Sequence, residues 1–269
     1  SFFKNLQDSQ GQRPWGAFRR KRNSHTKKFE KYNRNGLCLD RSLFCAYNTN
    51  RREVFCMQKI LLIGDSIRQG YDSFTKRAFD GLADVVYPSE NCRFTSYIVR
   101  NIADWADELG CDENTALVHW NAGLWDDLTM FDGEKLISPE EYEQNILRID
   151  GMLRRLFPKA VLIFATSTPV REHLFAGRRN HRLNRDTERY NEIAARVLSP
   201  KGVIINDLYS LMCGVPSEYY TDMTHFYTKD GTRVITSAVC DCIGKALHIT
   251  PKTLDYDALF SQKTDAVGV

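Results

Sequence analysis

The sequence lacks most of the signatures that would assign it at once. Its eight cysteines (38, 45, 56, 92, 111, 213, 240 and 242) form no Cys-x-x-Cys pair, and no histidine stands at zinc-finger distance from a cysteine pair. That spacing excludes the common structural zinc modules and reads as scattered buried thiols of a reducing compartment. Neither Gly-x-Gly-x-x-Gly nor a Walker-type Lys-Ser/Thr follows any strand-like run, so no glycine-rich cradle for phosphates is present. No apolar stretch is long enough to span a bilayer. No run of about 7–15 apolar residues follows the first basic ones, as a signal peptide would require. These absences point to a cytoplasmic protein without a membrane partner.

What is present is enough for a packed core. Hydrophobic residues make up 42% and aromatics 12% of 269 residues, room for one full α/β domain and some extra chain. The formal net charge of +3 hides a division. Residues 1–56 carry 13 Lys+Arg and 4 Asp+Glu, whereas residues 57–269 carry 24 and 30. The basic leader, with Arg19-Arg-Lys-Arg22 and Lys27-Lys28 among polar residues, keeps no hydrophobic period. It reads first as a disordered leader. A nucleic-acid-binding arm is the second reading, and a leader that is not native, with translation starting at Met57, is the third.

From Met57 strand and helix patterns alternate. Ile60–Ile63 is an uninterrupted apolar run that ends at Gly64-Asp65-Ser66, the pattern of a strand buried on both faces followed by a sharp turn at glycine. Tyr71, Phe74 and Ala78 follow at helical spacing. Further strands are expected at Ala83–Tyr87, Thr115–His119, Ala160–Ala165 and Val203–Ile205. Helices are expected through Ile98–Leu109, from Pro139 to Pro158, through Tyr190–Val197 and over Val234–Ala246. Strands separated by helices imply a parallel sheet. The expectation is a three-layer α/β/α domain over residues 57–250, with 251–269 a loose tail.

Ser66 would then emerge at the carboxyl end of the first strand, where open α/β sheets bind ligands. A serine hydroxyl is a weak nucleophile until a base takes its proton. Asp222-Met-Thr-His225, the one Asp-x-x-His in the chain, offers an imidazole and a carboxylate to orient it. Both would follow the fifth strand on the same edge. An oxyanion needs donors, and His119-Trp-Asn121-Ala-Gly123 closes the third strand with an asparagine amide; such an asparagine also commonly caps a turn.

Gly64-Asp-Ser66, Asn121 and Asp222-x-x-His225 together resemble blocks I, III and V of the SGNH (GDSL-type) hydrolases, over about Met57 to Leu247. The resemblance implies a flavodoxin-like five-stranded parallel sheet and an ester hydrolase that uses no metal or organic cofactor. It makes Ser66 the nucleophile, His225 the base and Asp222 its orienting partner, with Asn121 and the Ser66 amide as oxyanion donors. Two departures stand out. The third block usually reads Gly-x-Asn-Asp and here is His119-Trp120-Asn121-Ala122. The second block usually contributes a glycine N–H, yet Glu90–Ser96 contains no glycine. The missing donor falls to Arg93, Phe94 or Thr95, of which Thr95 is the choice here.

Around this site Trp120 and Trp125 offer flat faces suited to sugars or acyl chains, although a tryptophan at a strand end is commonly core. Arg171, Arg178, Arg179, Arg182 and Arg185 in the loop after the fourth strand could attract an anion, against a default of a solvated loop. His173 and His181 share that loop, and His119 reads equally as a core histidine. The function expected is removal of small acyl groups, acetyl among them, from a carbohydrate or other alcohol. The alternatives are a thioesterase or lysophospholipase on longer chains and a non-catalytic flavodoxin-like binding domain. The partner expected is the small-molecule or carbohydrate ester itself, and the oligomeric state stays open.

Overall fold

A computed structural model describes residues 45–47 and 54–265. The basic run at 19–22 and the rest of the expected leader, apart from two short strands, lie outside the described residues. Those strands, β1 (Cys45–Tyr47) and β2 (Val54–Cys56), pair antiparallel with Cys45 opposite Cys56. The expectation of a disordered leader otherwise falls on residues outside the described ones. Each strand is a triplet rich in β-forming residues, too short to show a period in sequence.

The main sheet has five parallel strands: β3 (Gln58–Ile63), β4 (Ala83–Val86), β5 (Leu117–Trp120), β6 (Val161–Ala165) and β7 (Ile204–Asn206). Their spatial order is β4-β3-β5-β6-β7. Ile63 lies opposite Trp120, Trp120 opposite Phe164, and Ala165 opposite Asn206. The carboxyl ends are therefore in register, and the segments leaving β3, β5, β6 and β7 start from one edge.

Ile60, Leu61, Leu62 and Ile63 are all fully buried because alternate side chains enter two different cores. Leu61 and Ile63 join the core under α2 (Thr95–Glu108), α3 (Pro139–Leu156) and α4 (Asn184–Leu198). Ile60 and Leu62 join the core under α1 (Ser66–Ala78) and α6 (Lys229–Leu247). Burying each such side chain contributes about 1.5–3 kcal/mol, which is why this run fixes the centre of the sheet. Helix ends follow local rules as well. Ser138 accepts the Glu141 N–H ahead of α3, Pro139 opens the helix and Arg154 and Arg155 close it, a cap typically worth about 1 kcal/mol.

Two further helices had no hydrophobic period to announce them. The short α5 (Leu208–Cys213) follows β7. α7 (Tyr256–Asp265) lies within the stretch 251–269 expected as a loose tail, of which 266–269 fall outside the described residues. Phe74 of α1 stacks on both Tyr256 and Phe260, at ring separations of 5.8 and 5.7 Å. The Lys252 N–H donates to Ala78 O, and Lys229 pairs with Asp257. The stretch is polar on average, but its few apolar residues find one apolar face. No described helix is long and apolar enough to cross a membrane.

Candidate active site

Ser66 is the first residue of α1, and the side chain of Asp65 caps that helix by accepting the Ile67 N–H at 2.9 Å. The Ser66 N–H, at a helix amino end, has no intrahelical acceptor and lies in the positive end of the helix dipole. Glycine at 64 answers a close approach and not a left-handed turn, since its φ is not positive. A Cβ there would lie 1.9 Å from Asn121 Oδ1 and 2.8 Å from Arg68 Cβ.

The base arrives on the loop between α5 and α6. His225 Nε2 lies 2.8 Å from Ser66 Oγ, and His225 Nδ1 lies 2.7 Å from Asp222 Oδ2. The other carboxylate oxygen of Asp222 accepts the N–H groups of Thr224 (2.7 Å) and His225 (2.8 Å). Partial burial works to raise the Asp222 pKa. Its bonds to the His225 ring and to these two N–H groups outweigh that and hold the carboxyl below its ordinary value. A carboxylate held ionised beside one ring nitrogen, with a hydroxyl at the other, is an arrangement that can move a proton off serine.

Asn121 leaves β5 next to this turn. Its Nδ2 donates to Asp65 Oδ1 at 3.0 Å, which leaves the second amide N–H available. Burial raises the Asp65 pKa, with the Asn121 bond and the Ile67 N–H opposing it. Asparagine at 121 is thus more than a turn cap, because it is bonded into the nucleophile's own turn.

The second block differs from the expectation. Thr95 does not offer its N–H outward: Asp126 Oδ1 accepts both that N–H (3.0 Å) and the Thr95 hydroxyl. Assigning the missing donor to Thr95 is therefore corrected; its position as the first residue of α2 turns the N–H onto a buried carboxylate. Arg93 takes the left-handed conformation, with φ 51°, so an arginine holds a backbone shape that favours glycine. Its N–H is accepted by Asn91 Oδ1 at 2.8 Å. Of the three candidates, Phe94 alone has an N–H without an acceptor among the described residues.

Other candidates divide. Trp120 is wholly buried against Phe164 and is core. Trp125 is half-buried in the loop after Asn121. His119 is fully buried between Tyr71 OH (3.5 Å) and Asn206 Nδ2 (3.3 Å), and burial lowers its pKa to about 3. It is a core histidine. In the loop after β6, Arg178, Arg179 and His173 are exposed, as is Arg185 in the first turn of α4. His181 joins its backbone to Thr129, and Arg171 lies over the Tyr220 ring. Arg182 is largely buried, with its Nε bonded to Leu124 O and 3.4 Å from Asp127 Oδ1.

Three features had no sequence signal. Arg68 reads as a solvated helix residue yet is fully buried. Its guanidinium bonds to Asp72, to Glu90 O and, at 3.4 Å, to Gly64 O. Cys92 N–H also donates to Gly64 O, so the second-block loop is fastened to the nucleophile turn twice. Asp126 and Asp127 lie beneath, each with a pKa raised by burial to about 7. Tyr227 packs on His225 and bonds to Ser66 O; only its place two residues after the histidine could have drawn notice. Among the described residues no group of three His, Cys, Asp or Glu is placed to hold a metal ion.

No family model matches the sequence, and no curated protein matches it. Solved structures do. A lipase/acylhydrolase from Enterococcus faecalis superposes with a TM-score of 0.57 at 18% identity, over 74% of this chain and 100% of that one. The acetyl xylan esterase AlAXEase gives 0.55 at 13% identity, over 69% and 99%. A GDSL-like lipase from Bacteroides thetaiotaomicron gives 0.53 at 17%, over 70% and 89%. With the parallel five-stranded sheet and its strand order, these likenesses show that the chain has the fold of the SGNH (GDSL-type) hydrolases.

Proposed function

We propose that this protein is a serine-dependent ester hydrolase of the SGNH type. The observation that carries the reading is the continuous chain from Asp222 through His225 to Ser66, with links of 2.7 and 2.8 Å. In the first half-reaction His225 Nε2 takes the Ser66 Oγ proton as that oxygen attacks the acyl carbonyl. The imidazolium, stabilised by Asp222, then gives the proton to the leaving alcohol and an acyl-enzyme remains. Water attacks that ester in the second half-reaction, with His225 again as base, and returns Ser66 and a carboxylic acid. The transient oxyanion meets the Ser66 N–H at the amino end of α1 and the free amide N–H of Asn121. We assign the third donor to the Phe94 N–H.

Small acyl groups on a carbohydrate or other alcohol are the proposed substrates. Two observations favour them: one structure sharing the fold is named an acetyl xylan esterase, and half-buried Trp125 follows Asn121 in the same loop, where its ring could line a sugar. Labelling with an aryl organophosphonate tests the mechanism. The expected result is one adduct on Ser66 that is lost in His225→Ala. Equal labelling of the His225→Ala variant, or an adduct elsewhere, would overturn it. Rates on acetyl against long-chain aryl esters test the acyl preference, and a preference for the long chain would turn the reading to a lysophospholipase or thioesterase.

A further inference from the structure

The geometry points to Tyr227 as a positioning residue that holds nucleophile and base in register, an inference that rests on the assignment of Ser66 and His225 above. The need for such a residue follows from how the two are supported. Ser66 belongs to a helix rooted in the core, whereas His225 sits on a surface loop without regular structure, with its ring about one-quarter exposed and the Asp222 side chain nearly half exposed. That loop is tied down by backbone links at a distance from the ring: the Thr221 N–H to His225 O, and the Arg171 N–H to Met223 O. Asp222 Oδ2 orients the imidazole at Nδ1, and none of these bonds sets the loop against α1.

Tyr227 supplies that setting through three contacts. Its ring lies on the His225 ring, with centroids 4.8 Å apart and planes inclined by 26°. Its hydroxyl donates to the carbonyl oxygen of Ser66 at 2.6 Å. Its edge lies against α1 at Gly70, where a Cβ would come within 2.7 Å of the tyrosine ring. Glycine is a poorer helix former than alanine, and here its lack of a side chain is what lets the aromatic ring lie against the helix. One side chain thus covers a face of the base, grips the backbone of the nucleophile and is seated by a gap in the nucleophile's helix. The ring limits rotation of the imidazole away from Ser66, and the hydroxyl fixes the distance between loop and helix. Tyr227 moves no proton in this scheme and acts only through His225 and Ser66.

The test compares Tyr227→Phe, Tyr227→Ala and Gly70→Ala with the parent protein, reading kcat and KM on a short-chain aryl ester and the rate of phosphonate labelling at Ser66. Loss of the hydroxyl bond alone is expected to lower kcat and the labelling rate about fivefold. Loss of ring and bond together is expected to lower both about a hundredfold, the scale of a misplaced catalytic group. KM is expected to stay within about twofold, since Tyr227 is not asked to bind substrate. Gly70→Ala, which leaves every functional group in place and only unseats the ring, is expected to fall between the two. Thermal melting of each variant separates this from unfolding: the inference requires the labelling rate to fall in variants that remain folded at the assay temperature. Labelling of the folded variants at the parent's rate overturns the inference alone. So does a rise in KM with kcat unchanged. A parent protein that takes no label at Ser66 overturns the serine mechanism itself, and this inference with it.

Discussion

The two halves of the candidate site are built in opposite ways. The nucleophile's half is interior: Asp65, Arg68 and Asn121 are buried and bonded to one another's turns, with Gly64 pressed between them. The base's half is a surface loop in which Asp222 and His225 are partly exposed and the carboxylate is organised by two neighbouring N–H groups. Interior groups cannot change without disturbing packing, and loop groups can. Substitutions on the first half should therefore move stability and activity together, while those on the second should move activity alone.

The largest expected effect is on activity. Ser66→Ala should lower kcat by about 10⁶-fold, as loss of a triad serine does, with full activity retained sinking the mechanism. On the loop side, Asp222→Asn should lower kcat by about 10⁴-fold while leaving the denaturant midpoint nearly unchanged; a large fall in the midpoint would erase the contrast between the halves. On the interior side, Asn121→Ala should cost about 10²–10³-fold in kcat and also destabilise, because Asp65 Oδ1 loses a buried donor. Gly64→Ala sharpens the same contrast from packing alone. Its Cβ clash with Asn121 predicts a loss of about 1–3 kcal/mol in urea unfolding, and unchanged stability would show that the turn can yield.

The smallest effect is the pH dependence of stability. His119 is held neutral, its pKa near 3 against an ordinary 6.5. Its contribution is full above about pH 6.5 and is lost as pH falls toward 3. Asp126 and Asp127 do the reverse: their pKa values rise from 3.8 to about 7. Their contribution is full below about pH 4 and is lost as pH rises through 7. Between about pH 4 and 6.5 the two trends oppose each other. Two aspartates outweigh one histidine there, so Asp126→Asn should flatten the decline, and its urea midpoints should fall less with pH over that window than the parent's. An identical slope in both proteins would mean that Asp126 does not titrate there.

Much of this was legible in the residues. The unbroken run Ile60–Ile63 gave away a strand with a core on each face, and Ser66 and Asn121 stand just past the ends of the paired strands β3 and β5. What was hidden depended on partners far along the chain. A charged Arg68 gives no hint that its guanidinium has backbone carbonyls to meet. The donor choice at Thr95 failed because the acceptor, Asp126, is 31 residues away. α7 was missed since its apolar residues are too few to mark a face until Phe74 is there to receive them.

That last contact has a practical side. The helix that carries the nucleophile at its first turn is gripped in its third turn by rings from residues 256 and 260. A label, fusion joint or protease cut placed within that segment would act on the far end of α1, and through it on the alignment of Ser66. Attachment points for immobilising or reporting on this protein are better chosen elsewhere, and a cut at that helix offers a way to switch the site off without touching it.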